Sequence, residues 1–103
     1  MKLKKAKLGY FTYTIRFVKQ PDENCGETDI HNKDIWINTR FSEEVQKETL
    51  MHELLHVSLD DCSAMKIDEM KASDREEDIV RCQSPRLMQF LTDNKWIREF
   101  LYG

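Results

Sequence analysis

The sequence predicts an α+β fold in which a small three-stranded antiparallel sheet packs against a buried helix and the helices that follow it. Before Ser42 the apolar residues alternate with polar ones, with the period of β-strands. From Ser42 onward the chain carries helix caps and apolar residues at helical spacing. Strands followed by helices favour helices packed on one face of a sheet, and 103 residues predict a single domain over residues 1–103.

Three strands are predicted. The clearest covers residues 11–18, where four apolar side chains fall on one side: Phe11, Tyr13, Ile15 and Phe17. Residues 20–26 contain Pro21 and Gly26 and are predicted to form a loop. Residues 28–30 and 35–38 are β-prone, and the polar residues 31–34 between them suit a hairpin turn.

The N-terminal segment is rich in lysine, with Lys2, Lys4, Lys5 and Lys7 close together. Leu3 and Ala6 between them form no apolar stretch long enough for a secretory signal. We interpret this segment as a solvated leader rather than a nucleic-acid-binding arm.

A helix is predicted from Ser42 to about Leu59. Ser42 can cap its N-terminus, and Glu43 and Glu44 place negative charge beside the exposed amides of the first turn. Its second half carries apolar residues on nearly every side, which predicts a helix buried in the middle of the domain: Leu50, Met51, Leu54, Leu55, Val57 and Leu59.

Two further helices are predicted after a loop at residues 60–73. Asp74 can cap the first, and Pro85 is expected to interrupt it because proline disfavours the α conformation at the preceding Ser84. Ser84 can then cap a continuation through Leu91. A last short helix begins after Asp93 or Asn94 and holds the apolar residues Trp96, Ile97, Phe100 and Leu101.

The composition narrows the class of partner. With 16 Lys and Arg against 19 Asp and Glu, the net charge of −3 disfavours direct binding to nucleic acid. No apolar stretch is long enough to span a membrane, so no membrane partner is expected.

The chain has three cysteines, Cys25, Cys62 and Cys82, and no two of them form a CxxC motif. This pattern makes a disulfide framework improbable and favours the reducing cytoplasm. The oligomeric state is left open.

The central helix contains the motif His-Glu-x-x-His at residues 52–56. Four residues of α-helix advance about 6 Å and turn about 400°, so His52 and His56 project from one face and can bind the same metal ion. Glu53 lies beside them as the predicted general base, because zinc lowers the pKa of a bound water to roughly 7 and a carboxylate can complete its deprotonation. The motif therefore predicts a Zn²⁺ site in which Glu53 is catalytic.

A catalytic zinc needs a third protein ligand. Asp60 and Glu48 lie too far along the same helix to reach an ion held between His52 and His56. Glu76 and Glu77 open the next helix and could fold back toward the site. We favour Glu77, because Ile79, Val80 and Cys82 place it near the inward face of that helix, while Glu76 remains the alternative.

At these residues the chain resembles the minimal ImmA/IrrE-type metallopeptidases, including short phage and prophage versions. Residues 26–60, which run from the small hairpin into the His-Glu-x-x-His helix, are similar to the core of that family. Residues 76–80 are similar to its third-ligand helix. The resemblance implies a minimal gluzincin-like fold, with His52, His56 and Glu77 as zinc ligands and Glu53 as general base. It also implies a cytoplasmic peptidase, and some members of the family cleave a partner repressor.

The sequence thus favours a zinc-dependent endopeptidase whose partner is a protein or peptide substrate. An extended substrate could pair with the sheet at residues 35–38, which we expect to form an edge strand. The alternative is a phage-type binding or inhibitory protein that retains a structural zinc without proteolysis. A fourth protein ligand such as Cys62 or Asp61 would support that alternative, whereas an open coordination position would support hydrolysis.

Overall fold

The computed structural model describes the backbone of residues 1–62 and 72–103, and the side chains of residues 1–62 and 77–103. The fold is α+β, as predicted, but its sheet has four strands and is mixed. The elements are β1 (Lys2–Leu8), β2 (Phe11–Val18), β3 (Gly26–Asp29), β4 (Asp34–Asn38), α1 (Glu43–Asp61), α2 (Ala72–Asp93) and α3 (Lys95–Tyr102). The prediction of three antiparallel strands was therefore wrong.

The N-terminal segment is a strand rather than a solvated leader. β1 pairs antiparallel with β2 from Lys2 opposite Phe17 to Leu8 opposite Phe11. Ala6 and Leu8 are buried, whereas the Lys2 ammonium lies 5.9 Å from the centre of the Phe17 ring. Lysines suit an edge strand because their long apolar stems cover the sheet while their charges oppose pairing with another chain.

The order of the strands is β1-β2-β4-β3, which places β4 in the interior and β3 at the second edge. β4 pairs parallel with β2 and antiparallel with β3, so the predicted hairpin is present but its edge strand is β3. The prediction that residues 35–38 form the edge was wrong. The physical reason is burial: Ile35 and Ile37 are fully buried, so β4 gains most from two neighbouring strands.

The core lies between one face of the sheet and the helices. It combines side chains from the strands, from α1 and from the C-terminal helices: Ala6, Leu8, Tyr13, Ile15, Phe17, Ile35, Ile37, Leu50, Leu54, Val57, Phe90 and Ile97. In the described ranges, no helix has both the length and the apolar character needed to cross a membrane.

Helix α1 begins as predicted, since the backbone amide of Val45 donates to Ser42 Oγ at 3.3 Å. It continues to Asp61 and buries one face rather than all sides. Leu54 and Val57 are buried against the core, whereas Leu55 and Leu59 are exposed. The expectation of a helix buried all round was therefore wrong.

Helix α2 runs without interruption from Ala72 to Asp93 and contains Pro85. The predicted break at Ser84 was wrong, as was the predicted start at Asp74, which lies inside the helix. Proline inside a helix costs about 3 kcal/mol, and the packing of α2 on both sides of Pro85 offsets that cost. The predicted loop at residues 60–73 is helical at both ends, and its expected packed turn at Met65, Ile67 and Met70 lies outside the described residues.

The start of α3 is held by Asn94. Its side-chain amide donates to the carbonyl oxygens of Lys7 and Phe90, each at 2.7 Å, and its Oδ1 accepts from the Lys7 amide at 2.8 Å. Asn94 is the N-cap residue of α3, and it is one of the two residues that the sequence predicted for this position. Its side chain makes no capping hydrogen bond to α3 and joins β1 to α2 instead.

Cys62, immediately after α1, forms a disulfide with Cys82 of α2 across 20 residues of sequence. The prediction that no disulfide forms was wrong, because a count of cysteines does not show which of them the fold brings together. Cys25 is the free cysteine among the described residues. Because Cys62 and Cys82 are bonded, the cysteines no longer favour a reducing compartment, and cytoplasmic location stays a prediction.

We expect the double substitution Cys62→Ser and Cys82→Ser to lower the free energy of unfolding by about 3 kcal/mol. A crosslink that closes a loop of 20 residues restricts the unfolded chain by roughly that amount. Urea unfolding under non-reducing conditions measures the difference, with Cys25→Ser as the matched control. Equal unfolding midpoints for the double variant and the unsubstituted protein would contradict the disulfide.

Candidate metal centre

Two histidines of α1 place their ring nitrogens close together. The Nε2 atoms of His52 and His56 are 3.1 Å apart, and both side chains are exposed. Two nitrogen ligands at 2.0 to 2.1 Å from a tetrahedral ion stand about 3.4 Å apart, so these atoms can share an ion after a small adjustment. Imidazole suits zinc and neighbouring transition metals.

The carboxylate of Glu53 completes this cluster. One potential ligand atom from each of His52, Glu53 and His56 lies within 4.8 Å of the others. Unlike the histidines, Glu53 is only 4% exposed. A buried carboxylate needs hydrogen-bond donors, and Oε2 of Glu53 accepts a bond of 3.0 Å from Oγ1 of Thr28 on β3.

Strand β3 approaches α1 closely because residue 26 is glycine. A Cβ at Gly26 would lie 2.6 Å from Cγ2 of Thr49 and 2.7 Å from the carbonyl oxygen of Trp36. Both distances are shorter than any van der Waals contact, so a side chain at this position would force β3 away from the helix. Gly26 therefore sets the spacing between the edge strand and the two histidines.

The open edge of β3 faces this cluster. The Asn38 amide donates to the Cys25 carbonyl at 2.8 Å, which makes these two residues a hydrogen-bonded pair of the antiparallel ladder. Such pairs alternate along the strands, so the backbone of Glu27 bonds to β4 while that of Thr28 points outward. The amide and carbonyl of Thr28 are thus directed to the outside of the sheet.

Two adjoining clefts share His52, Glu53 and Gly26. The first, of about 590 Å³, extends along β3 and the C-terminal half of α1, and its walls also include Thr28, His56 and Asp60. The second, of about 410 Å³, extends toward the N-terminal half of α1 and the loop before β3, where Cys25 and Glu48 line it. An extended chain laid along β3 would pass the histidines with one cleft on either side.

The C-terminal end of α1 is acidic. Burial, followed by the charges of Asp60 and Asp61, raises the pKa of Tyr13 to about 12. Burial also raises the pKa of Asp61 above its usual range, against the opposing effect of Arg86. Asp61 lies near Gly9 of the β1–β2 turn, 3.2 Å from where a Cβ at that glycine would be. Its carboxylate is therefore directed to the turn.

The third predicted ligand is not part of this cluster. Glu77 lies on α2, 61% exposed, and its Oε1 accepts a hydrogen bond of 3.0 Å from Nε of Arg81. The side chain of Glu76 lies outside the described residues. The choice of Glu77 over Glu76 as third ligand therefore stays a prediction, as do the roles of His52, His56 and Glu53.

The sequence did not identify Thr28 or Gly26 as parts of the site. Gly26 was assigned to a loop, and Thr28 to a strand with no chemical role. The alternation of β3 could have shown that both residues face the same way, but their contact with α1 depends on the packing of the sheet against the helix. His31 lies exposed in the β3–β4 turn, as predicted.

Comparisons with known proteins add one finding. The family model of the IrrE N-terminal-like domain, Peptidase_M78, matches residues 1–79. This match covers the sheet, α1 and the start of α2, and it indicates a metallopeptidase-like function. Neither the curated proteins nor the solved structures compared with the chain include a significant match.

We expect the protein, purified without added metal, to contain about one divalent metal ion per chain. His52→Ala and His56→Ala should each abolish this content, because each removes one of the two nitrogen ligands. Inductively coupled plasma mass spectrometry measures the metal, and His31→Ala in the exposed turn is the matched control. Full metal content in both histidine variants would exclude the site.

We expect Gly26→Ala to lower the free energy of unfolding by about 1–3 kcal/mol, because the added methyl group overpacks the contact between β3 and α1. Thr49→Ser removes the Cγ2 atom that the new methyl group meets, and combining it with Gly26→Ala should recover part of the loss. Thermal unfolding measures both effects. A Gly26→Ala protein as stable as the unsubstituted one would contradict the close approach.

Proposed function

This chain belongs to the IrrE N-terminal-like domain family, and from that membership we propose that it is a zinc-dependent endopeptidase acting on a protein partner. The observation that carries the proposal is the buried carboxylate of Glu53 beside two histidine nitrogens 3.1 Å apart. Two exposed imidazoles and an adjacent buried carboxylate are the groups that a metallopeptidase uses as zinc ligands and general base.

In this proposal His52 and His56 hold the zinc ion through Nε2, and Glu77 is the third ligand, with Glu76 as the alternative. Glu77 would have to exchange its bond with Arg81 for the metal. Breaking this exposed pair costs only about 0.3–0.5 kcal/mol. Zinc, when bound, supplies Lewis-acid chemistry: it acidifies water and polarises a carbonyl group.

Glu53 moves the proton. Its Oε2 is engaged by Thr28, so Oε1 accepts a proton from the attacking water and then delivers it to the nitrogen of the leaving amine. Burial of Glu53 keeps bulk water from competing for this oxygen. Such a carboxylate contributes about 10²- to 10⁴-fold to the rate.

The substrate is proposed to bind as an added strand on β3. The outward amide and carbonyl of Thr28 can form ladder bonds with an extended peptide, which would then run from one cleft into the other past His52 and Glu53. β3 takes the role that the sequence assigned to residues 35–38, because β4 is already paired on both sides.

The alternative of a structural zinc in a binding or inhibitory protein is not favoured. Cys62 is bonded to Cys82, and Asp61 is directed to the β1–β2 turn. Neither residue that the sequence offered as a closing ligand is available at the histidines, which supports a site with an open coordination position. Cleavage of a repressor, a phage origin and cytoplasmic location are parts of this proposal that come from the resemblance alone.

We expect Glu53→Gln to retain bound zinc and to reduce peptide cleavage by at least about 10²-fold, because glutamine keeps the shape of the side chain but cannot accept the proton. The measurement is mass spectrometry of a proteome-derived peptide library incubated with zinc-loaded protein. Glu44→Gln in the first turn of α1 is the matched control. Cleavage by the Glu53→Gln variant at the unsubstituted rate would exclude Glu53 as the base.

The same variant can test the binding mode once a cleaved peptide is known. Bound peptide should slow hydrogen exchange at the outward amide of Thr28, while the amide of Glu27, already bonded to β4, should change little. Equal protection of both amides would argue against strand addition on β3.

A further inference from the structure

Thr28 is the residue through which the edge strand contacts the proposed general base. Its Oγ1 donates to Oε2 of Glu53 at 3.0 Å. Within the described part of the chain, this is the only hydrogen bond recorded for the Glu53 side chain, and Glu53 is only 4% exposed. One hydroxyl group therefore restrains a carboxylate that has little access to solvent.

The hydroxyl is not needed for the strand. Thr28 stands opposite Ile35 in the ladder, on the side of the sheet that packs against α1. A β-branched apolar residue such as valine fits this half-buried strand position as well as threonine does. Among the described residues, Glu53 is the one hydrogen-bond partner of the Thr28 hydroxyl, so this contact is what threonine adds over valine.

We propose that Thr28 is a positioning residue for Glu53. Its hydroxyl holds Oε2 against β3, so that Oε1 is the oxygen left to exchange a proton with water and the leaving amine. This inference rests on the proposed peptidase function and deepens it. General base catalysis depends on holding the acceptor oxygen within hydrogen-bond reach of the proton, and a carboxylate free to rotate spends less time there.

The same residue links substrate binding to catalysis. The backbone of Thr28 faces the open edge, where a substrate strand would pair, and its side chain faces Glu53. A peptide that pairs with this backbone stiffens the strand that orients the base. Longer peptides that reach Thr28 should therefore gain in kcat, beyond what they gain in binding.

The test compares Thr28→Val, which removes only the hydroxyl group, with Thr28→Ser, which keeps it. We expect Thr28→Val to lower kcat by about 10- to 100-fold, the usual effect of removing a supporting contact around a metal site. For a peptide that the unsubstituted protein cleaves, KM should stay unchanged, as should the zinc content. Thr28→Ser should recover most of the kcat. Thr12→Val, at an exposed position of β2, is the matched control.

Three results would overturn the proposal. The first is a kcat for Thr28→Val equal to that of the unsubstituted protein. The second is a loss that Thr28→Ser fails to recover. The third is an effect on KM alone, which would assign Thr28 to substrate binding rather than to positioning of the base.

A measurement without catalysis separates this inference from the proposed function. In zinc-free protein, Thr28→Val should lower the folding equilibrium constant by at least about 10-fold, as expected for one hydrogen bond to a charged group, and should have no such effect in a Glu53→Ala background. Equal effects in both backgrounds would overturn the contact. If the Thr28→Val effect depends on Glu53 but the unsubstituted protein cleaves no peptide, the proposed function would be overturned, and the positioning role with it.

Discussion

The close contact between β3 and α1 is the constraint on which the candidate site depends. The two elements meet where Gly26 lies against Thr49, with no room for a Cβ. At that distance the hydroxyl of Thr28 reaches the carboxylate of Glu53, and the free edge of the sheet runs beside the two histidines. A wider gap would break this hydrogen bond and open Glu53 to solvent.

The three side chains of the cluster differ in their exposure to solvent. His52 and His56 are exposed, whereas Glu53, which lies between them in the sequence, is buried. This difference follows from helical geometry, because Glu53 is rotated about 100° from His52 and so turns toward the strand. One turn of helix thus offers two accessible nitrogen ligands and one shielded carboxylate.

The position of α2 depends on contacts at several points. The disulfide joins Cys82 to the end of α1, and Gln83 Nε2 donates to the Leu55 carbonyl and to Ser58 Oγ. Further along, Phe90 is buried in the core. These contacts hold α2 on both sides of Pro85, which explains why the proline is accommodated within one helix. Within α2, Glu77 pairs with Arg81 four residues along the helix, so recruitment of this carboxylate to a metal would need that pair to break.

The sequence by itself determined the features that depend on neighbouring residues. The cap at Ser42, the helix that places His52 and His56 on one face, the strand at residues 11–18 and the hairpin turn around His31 all follow from interactions within a few positions of the chain. The tertiary structure alone decided the features that join distant segments. These are the pairing of β1 with β2, the interior position of β4, the disulfide between Cys62 and Cys82, and the contact of Thr28 with Glu53. Hydrophobic burial selects such pairings from many that local patterns allow equally, because its free energy depends on which surfaces meet and not on their spacing in the sequence.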